Sequence, residues 1–130
     1  MKVEALSHVA LTVSDFEKSR KFYGDLLGFE IKDINYEGES VAAGFYFLVG
    51  SVSIWFLKHK AMPANDRFTE TRLGLDHLSF KATNEADLKA MADKLLAAGV
   101  DTKGMETYVT GNKYIAFRDP DNIQLEYWLD

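Results

Sequence analysis

The chain contains no cysteine and only two prolines among its 130 residues. The absence of cysteine excludes a disulfide framework, thiolate metal sites and thiol nucleophiles, and it fits a reducing compartment. The longest apolar stretch, residues 45–57, is broken by Gly50 and Ser51, so no segment predicts a membrane span. The first residues lack the small-residue cleavage site of a signal peptide. We therefore expect a cytoplasmic protein with no membrane contact.

Positive charge is also scarce. Lys and Arg total 15 against 20 Asp and Glu, the net charge is −5, and no run of basic residues offsets it. This balance argues against nucleic acid as a partner, because phosphate binding requires clustered cations. The apolar fraction of 47% is that of a folded protein, and 130 residues suit a single domain over residues 1–130.

The chain contains one unit used twice. His8 and His77 each lie inside an alternating apolar run, and six residues after each histidine comes a hydroxyl that predicts a helix cap, Ser14 in the first copy and Thr83 in the second. The two histidines are therefore expected on equivalent strands. Each half alone is too small to bury a good core, so the halves are expected to pack as one domain.

The order of predicted elements is βαβββ in both halves, which predicts an α+β fold. In module one, residues 1–58, a strand at 3–13 precedes a helix that begins in a capping box at 14–17 and stops at Gly28; strands follow at 29–36, 41–49 and 52–58. Residues 59–73 form a connector without periodicity. In module two, residues 74–130, a strand around His77 precedes a helix capped by Asn84 and ended by Gly99, with strands at 100–109, 113–117 and 123–129.

Counting from the glycine that ends each helix pairs one further position in each module. Trp55 lies twenty-seven residues after Gly28, and Glu126 lies twenty-seven residues after Gly99. A carboxylate in an apolar strand is costly unless a cation faces it. Two imidazoles and one carboxylate form an open metal-ligand set that leaves positions for substrate. The alternative is that each histidine is a core residue hydrogen-bonded to backbone.

Three stretches carry a family resemblance across the whole chain: HVALTV at 8–13 with FYGDLLGF at 22–29, LDHLSF at 75–80, and FRDPDNIQLE at 117–126. They resemble the vicinal oxygen chelate superfamily, the group of glyoxalase I, bleomycin-resistance proteins, fosfomycin-resistance enzymes and extradiol dioxygenases. The resemblance implies paired βαβββ modules whose mixed sheets curl into a cup around a metal, commonly in a homodimer.

The resemblance also implies the ligands of that metal. They fall on His8, His77 and Glu126, with one divalent ion that is Fe, Mn, Zn, Ni or Co. The fourth, glyoxalase-type glutamate falls on Trp55, which weakens a glyoxalase I interpretation. Fosfomycin enzymes place a threonine where this chain has Ala10.

Ring-cleaving relatives often place a tyrosine where this chain has Ala116, and Tyr114 is the nearest candidate on the same face. Trp55 is either core or a platform for a planar substrate. His59, four residues beyond Trp55, is either an acid/base group or a solvated strand end. Arg118 either binds an anionic substrate or stabilises the turn with its neighbouring aspartates.

Two function classes follow. The first is a metal-dependent enzyme that chelates neighbouring oxygens of a small substrate, with oxygenase-type chemistry placed just ahead of glyoxalase-type isomerase or lyase chemistry. The second is a metal-free module that sequesters a small aromatic compound, as bleomycin-resistance proteins do. A purely structural partner-binding dimer has no sequence feature in its favour. In each case we expect a homodimer, because open sheets leave edges to be covered.

Overall fold

The computed structural model describes residues 1–34 and 40–130, which form two compact units, Met1–Asp66 and Arg67–Asp130. The end of the strand predicted at 29–36 and most of the turn after it lie outside the described residues. Within the described part of the chain, no helix has the length and apolar character needed to cross a membrane.

The first unit is a four-stranded mixed sheet with one helix. Its elements are β1 (His8–Thr12), α1 (Phe16–Lys21), a π-helical turn (Phe22–Leu26), β2 (Lys32–Ile34), β3 (Val41–Val49) and β4 (Val52–His59). The strand order is β1-β4-β3-β2, with β1 parallel to β4 and the other neighbours antiparallel.

The second unit repeats this plan. Its elements are β5 (Leu78–Lys81), α2 (Glu85–Ala97), β6 (Thr102–Thr107), β7 (Lys113–Arg118) and β8 (Gln124–Leu129). The strand order is β5-β8-β7-β6, and β5 is parallel to β8. The predicted α+β class with βαβββ used twice is confirmed.

The first strand of each unit is shorter than the predicted runs. β1 begins at His8, which pairs with Ser53, and β4 itself begins at Val52. Residues 3–7 therefore have almost no neighbouring strand to pair with, although their alternation is typical of a strand.

Both helix caps lie one residue after the hydroxyls of the repeat. Asp15, not Ser14, caps α1 by accepting a hydrogen bond from Lys18 N at 3.0 Å. Asn84 caps α2 by accepting a hydrogen bond from Asp87 N at 2.9 Å, as the helix pattern predicts, so the cap that the repeat placed on Thr83 is wrong. A capping residue has an extended backbone, from which its side-chain oxygen reaches an amide of the first helical turn. Asp15 and Asn84 both have this extended backbone. The repeat is preserved, because both caps move by the same step.

The first helix widens before it stops. Leu27 N donates to Phe22 O at 3.0 Å, five residues back, which is a π-helical bond instead of the α-helical one that the periodicity predicts. A Cβ at Gly24 would lie 2.9 Å from Ile31 Cγ1, so glycine permits this close packing. The predicted stop at Gly28 is confirmed by its φ of +83°.

Each sheet buries one face and leaves the other partly open. In the first unit Tyr23 packs on Phe45, Phe47 and Phe56, and all four are fully buried. In the second unit the equivalent buried side chains are Leu88, Leu95, Ile115, Phe117 and Leu125. Apart from Gly44, the strand residues that alternate with these are half-buried or exposed, and the candidate site residues are among them.

Candidate functional site

His77 and Glu126 lie side by side in the second unit. His77 directly precedes β5, and β5 runs parallel to β8 with Ser79 opposite Glu126. This register brings His77 Nε2 to 3.5 Å from Glu126 Oε2. The Glu126 side chain is only 13% exposed, although it alternates with the fully buried Leu125. The structure thus places two predicted ligands together across two strands.

The separation of these two atoms fits shared coordination of one ion. A distance of 3.5 Å is too long for a strong hydrogen bond. Two donors that each lie about 2.1 Å from one tetrahedral metal are about 3.4 Å apart. An imidazole nitrogen with a carboxylate oxygen is also a donor set that first-row divalent metals accept. His77 and Glu126 therefore have the chemistry and the spacing to supply two donors to one metal ion.

A polar group lies beside each of the two side chains. His77 Nδ1 lies 2.6 Å from Asp76 Oδ1, on the ring edge away from Glu126. The second oxygen of Glu126, Oε1, lies 3.5 Å from Gln124 Nε2. Sequence reasoning missed Asp76 and Gln124, although each lies within two residues of a predicted ligand.

The first unit repeats the register with a different residue. Ala10, two residues after His8, pairs with Trp55, just as Ser79, two residues after His77, pairs with Glu126. The strand pairing therefore agrees with the equivalence of Trp55 and Glu126 that the sequence predicts. The imidazole of His8 lies edge-on to the Trp55 ring with centroids 6.5 Å apart. His8 thus has no carboxylate at the equivalent position of its own sheet.

Within residues 1–34 and 40–130, no group of three or more His, Cys, Asp or Glu side chains is arranged so that it could hold a metal ion. His77 and Glu126 are adjacent, and the role of His8 as third ligand remains a prediction from the repeat and the resemblance.

Trp55 forms part of an aromatic surface on the open face of the first sheet. Its ring stacks on Tyr46 with centroids 4.8 Å apart and planes 13° from parallel. Its Nε1 donates to Ser53 Oγ at 2.8 Å. The indole is thereby fixed in orientation and only partly buried.

Tyr114 lies on the same face of the second sheet as Glu126. It pairs with Trp128, two residues beyond Glu126, and the two rings stack at 5.5 Å. Burial, followed by the charges of Glu106 and Glu126, raises the pKa of the Tyr114 phenol. A phenol with a raised pKa remains protonated at neutral pH, so Tyr114 is suited to donate a hydrogen bond and unsuited to act as a base.

Arg118 forms a bidentate ion pair with Glu70 of the connector. Its Nη2 lies 2.7 Å from Glu70 Oε1 and its Nη1 lies 2.9 Å from Oε2. The Arg118 hydrogen bonds lower the pKa of Glu70 to about 2. Arg118 also donates to Asn122 O at 3.2 Å, which ties it to the turn before β8. No periodic signal in the connector points to Glu70, so sequence reasoning missed it.

His59 lies at the end of β4, opposite Val41 and half-buried. It is four residues from Trp55 along the same strand, as predicted, and its proposed acid/base role is not tested by this position.

Comparison with known proteins agrees with this architecture. Residues 5–127 match the family model of the Glyoxalase/Bleomycin resistance protein/Dioxygenase superfamily. The crystal structure of a glyoxylase/bleomycin resistance protein/dioxygenase domain from Frankia sp. EAN1pec is 32% identical, with a TM-score of 0.83 over 98% of both chains. The uncharacterized protein YwkD of Bacillus subtilis is 31% identical over 98% of both chains. Metallothiol transferase FosB of Lysinibacillus sphaericus is 30% identical over 98% of this chain and 83% of its own.

Two mixed sheets of βαβββ order define a protein of the paired-module α+β class, in which His8 begins the first strand of one unit and His77 directly precedes the first strand of the other. The chain belongs to the glyoxalase/bleomycin resistance protein/dioxygenase superfamily, and the resemblance found in the sequence is confirmed.

Proposed function

We propose that this chain is a divalent-metal-dependent enzyme in which His8, His77 and Glu126 hold one ion of Fe, Mn, Zn, Ni or Co. The observation that carries the proposal is the 3.5 Å separation of His77 Nε2 and Glu126 Oε2, which suits two donors on one metal. His8 joins them on the strength of the repeat, since it stands in β1 where His77 stands before β5.

The substrate that we propose is a small molecule with two neighbouring oxygens. When bound, the metal supplies Lewis-acid polarisation of those oxygens and stabilises the negative charge that develops on them. Three protein ligands leave up to three coordination positions on the metal for substrate, water or oxygen. Tyr114 supplies a protonated phenol on the Glu126 face, and Trp55 supplies a fixed indole against which a planar substrate can stack.

Trp55 and Ala116 influence the choice of reaction. Trp55 removes the carboxylate that glyoxalase-type enzymes use to move protons, which favours chemistry that needs several open positions. Ala116 of β7 pairs with Glu126 of β8 and stands where ring-cleaving relatives often have tyrosine. The missing tyrosine disfavours oxygenase-type chemistry. We place oxygenase-type chemistry first and glyoxalase-type isomerase or lyase chemistry second. Thiol transfer of the FosB type ranks behind both, because Ala10 replaces the expected threonine.

A second candidate function is metal-free sequestration of a small aromatic compound. Its support is the pair of stacked aromatic surfaces, Tyr46 with Trp55 and Tyr114 with Trp128, on the partly open sheet faces. Stacking on such surfaces recognises planar ligands without a metal.

The metal content of purified protein distinguishes the two functions. Wild type is compared with His77→Ala and Glu126→Ala after anaerobic loading with Fe(II) or Mn(II), and His59→Ala is the matched histidine control. We expect the two ligand variants to lose metal while circular dichroism shows them folded, and the control to retain it. Metal near zero in loaded wild type would overturn the enzyme proposal and favour the binding module.

With metal present, the reaction class is tested directly. Oxygen uptake with a panel of catechols supports oxygenase-type chemistry. Isomerisation of thiol–aldehyde adducts without oxygen uptake supports glyoxalase-type chemistry instead.

We also propose a homodimer. The sheets have edge strands β1 and β2 in one unit and β5 and β6 in the other, and exposed edges favour association with another chain. Light scattering during size-exclusion chromatography is expected to give twice the monomer mass of 14.7 kDa. The monomer mass would contradict this proposal.

A further inference from the structure

The two ring nitrogens of His77 face different carboxylates. Nδ1 lies 2.6 Å from Asp76 Oδ1, and Nε2 lies 3.5 Å from Glu126 Oε2. The first distance is that of a short hydrogen bond to a charged acceptor. The second is longer than a strong hydrogen bond. The ring therefore has one edge that is bonded and one edge that is presented to the site.

The equivalent histidine has a weaker neighbour. His8 Nδ1 lies 3.2 Å from Ser7 Oγ, the side chain directly before it, as Asp76 is directly before His77. A hydroxyl both donates and accepts, so it is compatible with either tautomer of a neutral imidazole. An ionised carboxylate only accepts, so it selects the tautomer with the proton on Nδ1.

We propose that Asp76 is a positioning residue that holds His77 in its Nδ1–H tautomer and presents the Nε2 lone pair to the metal. The consequence for metal binding rests on the proposed function. Carboxylates that bond the outer nitrogen of a ligating histidine fix its ring and raise its basicity as a ligand. The two histidines of the repeat are therefore unequal, with His77 oriented by a charge and His8 only by a hydroxyl.

The exposure of Asp76 limits the strength of this effect. Its side chain is 63% exposed, so water competes for the carboxylate and the hydrogen bond is weaker than a buried one. The entropy cost of the hydrogen bond is small, because Asp76 and His77 are adjacent in sequence and few rotatable bonds must be fixed to form it. This offsets part of the weakening by water.

The experiment uses Asp76→Ala, Asp76→Asn and, as matched control, Ser7→Ala. The tautomer of His77 is read from ¹⁵N imidazole shifts of the metal-free protein at a pH where the ring is neutral. Metal affinity is read from Co(II) titration followed by absorbance. We expect Asp76→Ala to lose the Nδ1–H preference and to weaken Co(II) binding about 10- to 100-fold. Asp76→Asn keeps a neutral hydrogen-bond acceptor and is expected to lose less Co(II) affinity than Asp76→Ala. Ser7→Ala is expected to change Co(II) affinity by less than about threefold.

Three results would overturn the inference. One is an unchanged His77 tautomer in Asp76→Ala, and another is Co(II) affinity in that variant within about threefold of wild type. The third is a loss of Co(II) affinity in Ser7→Ala as large as that in Asp76→Ala. It would show that any substitution directly before a module histidine weakens metal binding. Failure of wild type to bind Co(II) would overturn the proposed metal site and its affinity consequence, whereas the ¹⁵N shifts still decide whether Asp76 sets the tautomer.

Discussion

Trp55 in β4 occupies the register position that Glu126 occupies in β8. Each pairs with the residue two positions after a module histidine, Ala10 in the first unit and Ser79 in the second. The duplicated βαβββ plan thus has two equivalent positions for a carboxylate, and this chain uses one.

In the proposed metal site, Trp55→Glu is expected to supply a second carboxylate. Trp55→Glu is expected to bind metal about tenfold more tightly than Trp55→Gln, because each added anionic ligand strengthens the binding of a divalent ion. Glutamine has the size of glutamate without its charge, so the comparison isolates the charge. Both variants lose the stacking on Tyr46 and are expected to be less stable than wild type by about 1 kcal/mol or more. Metal titration of the two variants makes the comparison, and equal affinities would show that position 55 does not face the metal.

Glu70→Gln is expected to change the acid stability of the chain. Arg118 lowers the pKa of Glu70 from 4.5 to about 2 in the folded state. A group with a depressed folded pKa contributes stability above its unfolded pKa, and that contribution is lost as the pH falls through the folded value. Wild type is therefore expected to exceed Glu70→Gln in urea midpoint above pH 4.5, and the difference is expected to shrink between pH 4.5 and about 2.

The control for this pH dependence is the same substitution in an Arg118→Gln background. Without the guanidinium, the pH dependence of the Glu70→Gln effect on the urea midpoint is expected to become smaller, and the part that remains reflects the backbone hydrogen bond that also lowers the pKa of Glu70. A pH-dependent difference of undiminished size in this background would show that Arg118 is not its main cause.

Ser19→Ala is expected to preserve or increase stability. Ser19 is fully buried in α1, and its Oγ has no hydrogen-bond partner among the described residues. Removing an unsatisfied buried hydroxyl relieves a desolvation cost, and alanine also favours the helix, so a gain of up to about 1 kcal/mol is expected. Ser53→Ala is the matched control, because it removes the acceptor of Trp55 Nε1 and is expected to cost about 1 kcal/mol. Urea unfolding measures both, and a clear loss in Ser19→Ala would contradict the prediction.

Tyr114→Phe is expected to remove a hydrogen-bond donor from the proposed site without affecting the proposed metal binding. The raised pKa of the phenol, caused first by burial and then by Glu106, keeps it protonated at neutral pH. Spectrophotometric titration of wild type minus Tyr114→Phe is therefore expected to show a phenol that ionises above pH 10. Metal content equal to wild type with reduced turnover would support donation to substrate, and loss of metal would place Tyr114 in the ligand set instead.

The sequence determined the features that depend on local periodicity and on the repeat. The α+β class, the stops at Gly28 and Gly99 and the equivalence of Trp55 with Glu126 follow from alternation, glycine chemistry and counting, and the structure agrees with each. These features are readable because each is set by neighbours in the chain or by an identical count in the second copy.

Tertiary structure decided the contacts between distant residues. The short distance from His77 to Glu126 needs the parallel pairing of β5 with β8, and the bond of Arg118 to Glu70 needs the connector to return to the sheet. The cap at Asp15 instead of Ser14 and the π-helical turn after α1 also differ from what the local pattern predicts. Sequence reasoning chose His77 and Glu126 for their chemistry, but only the folded register decided which of their atoms face each other.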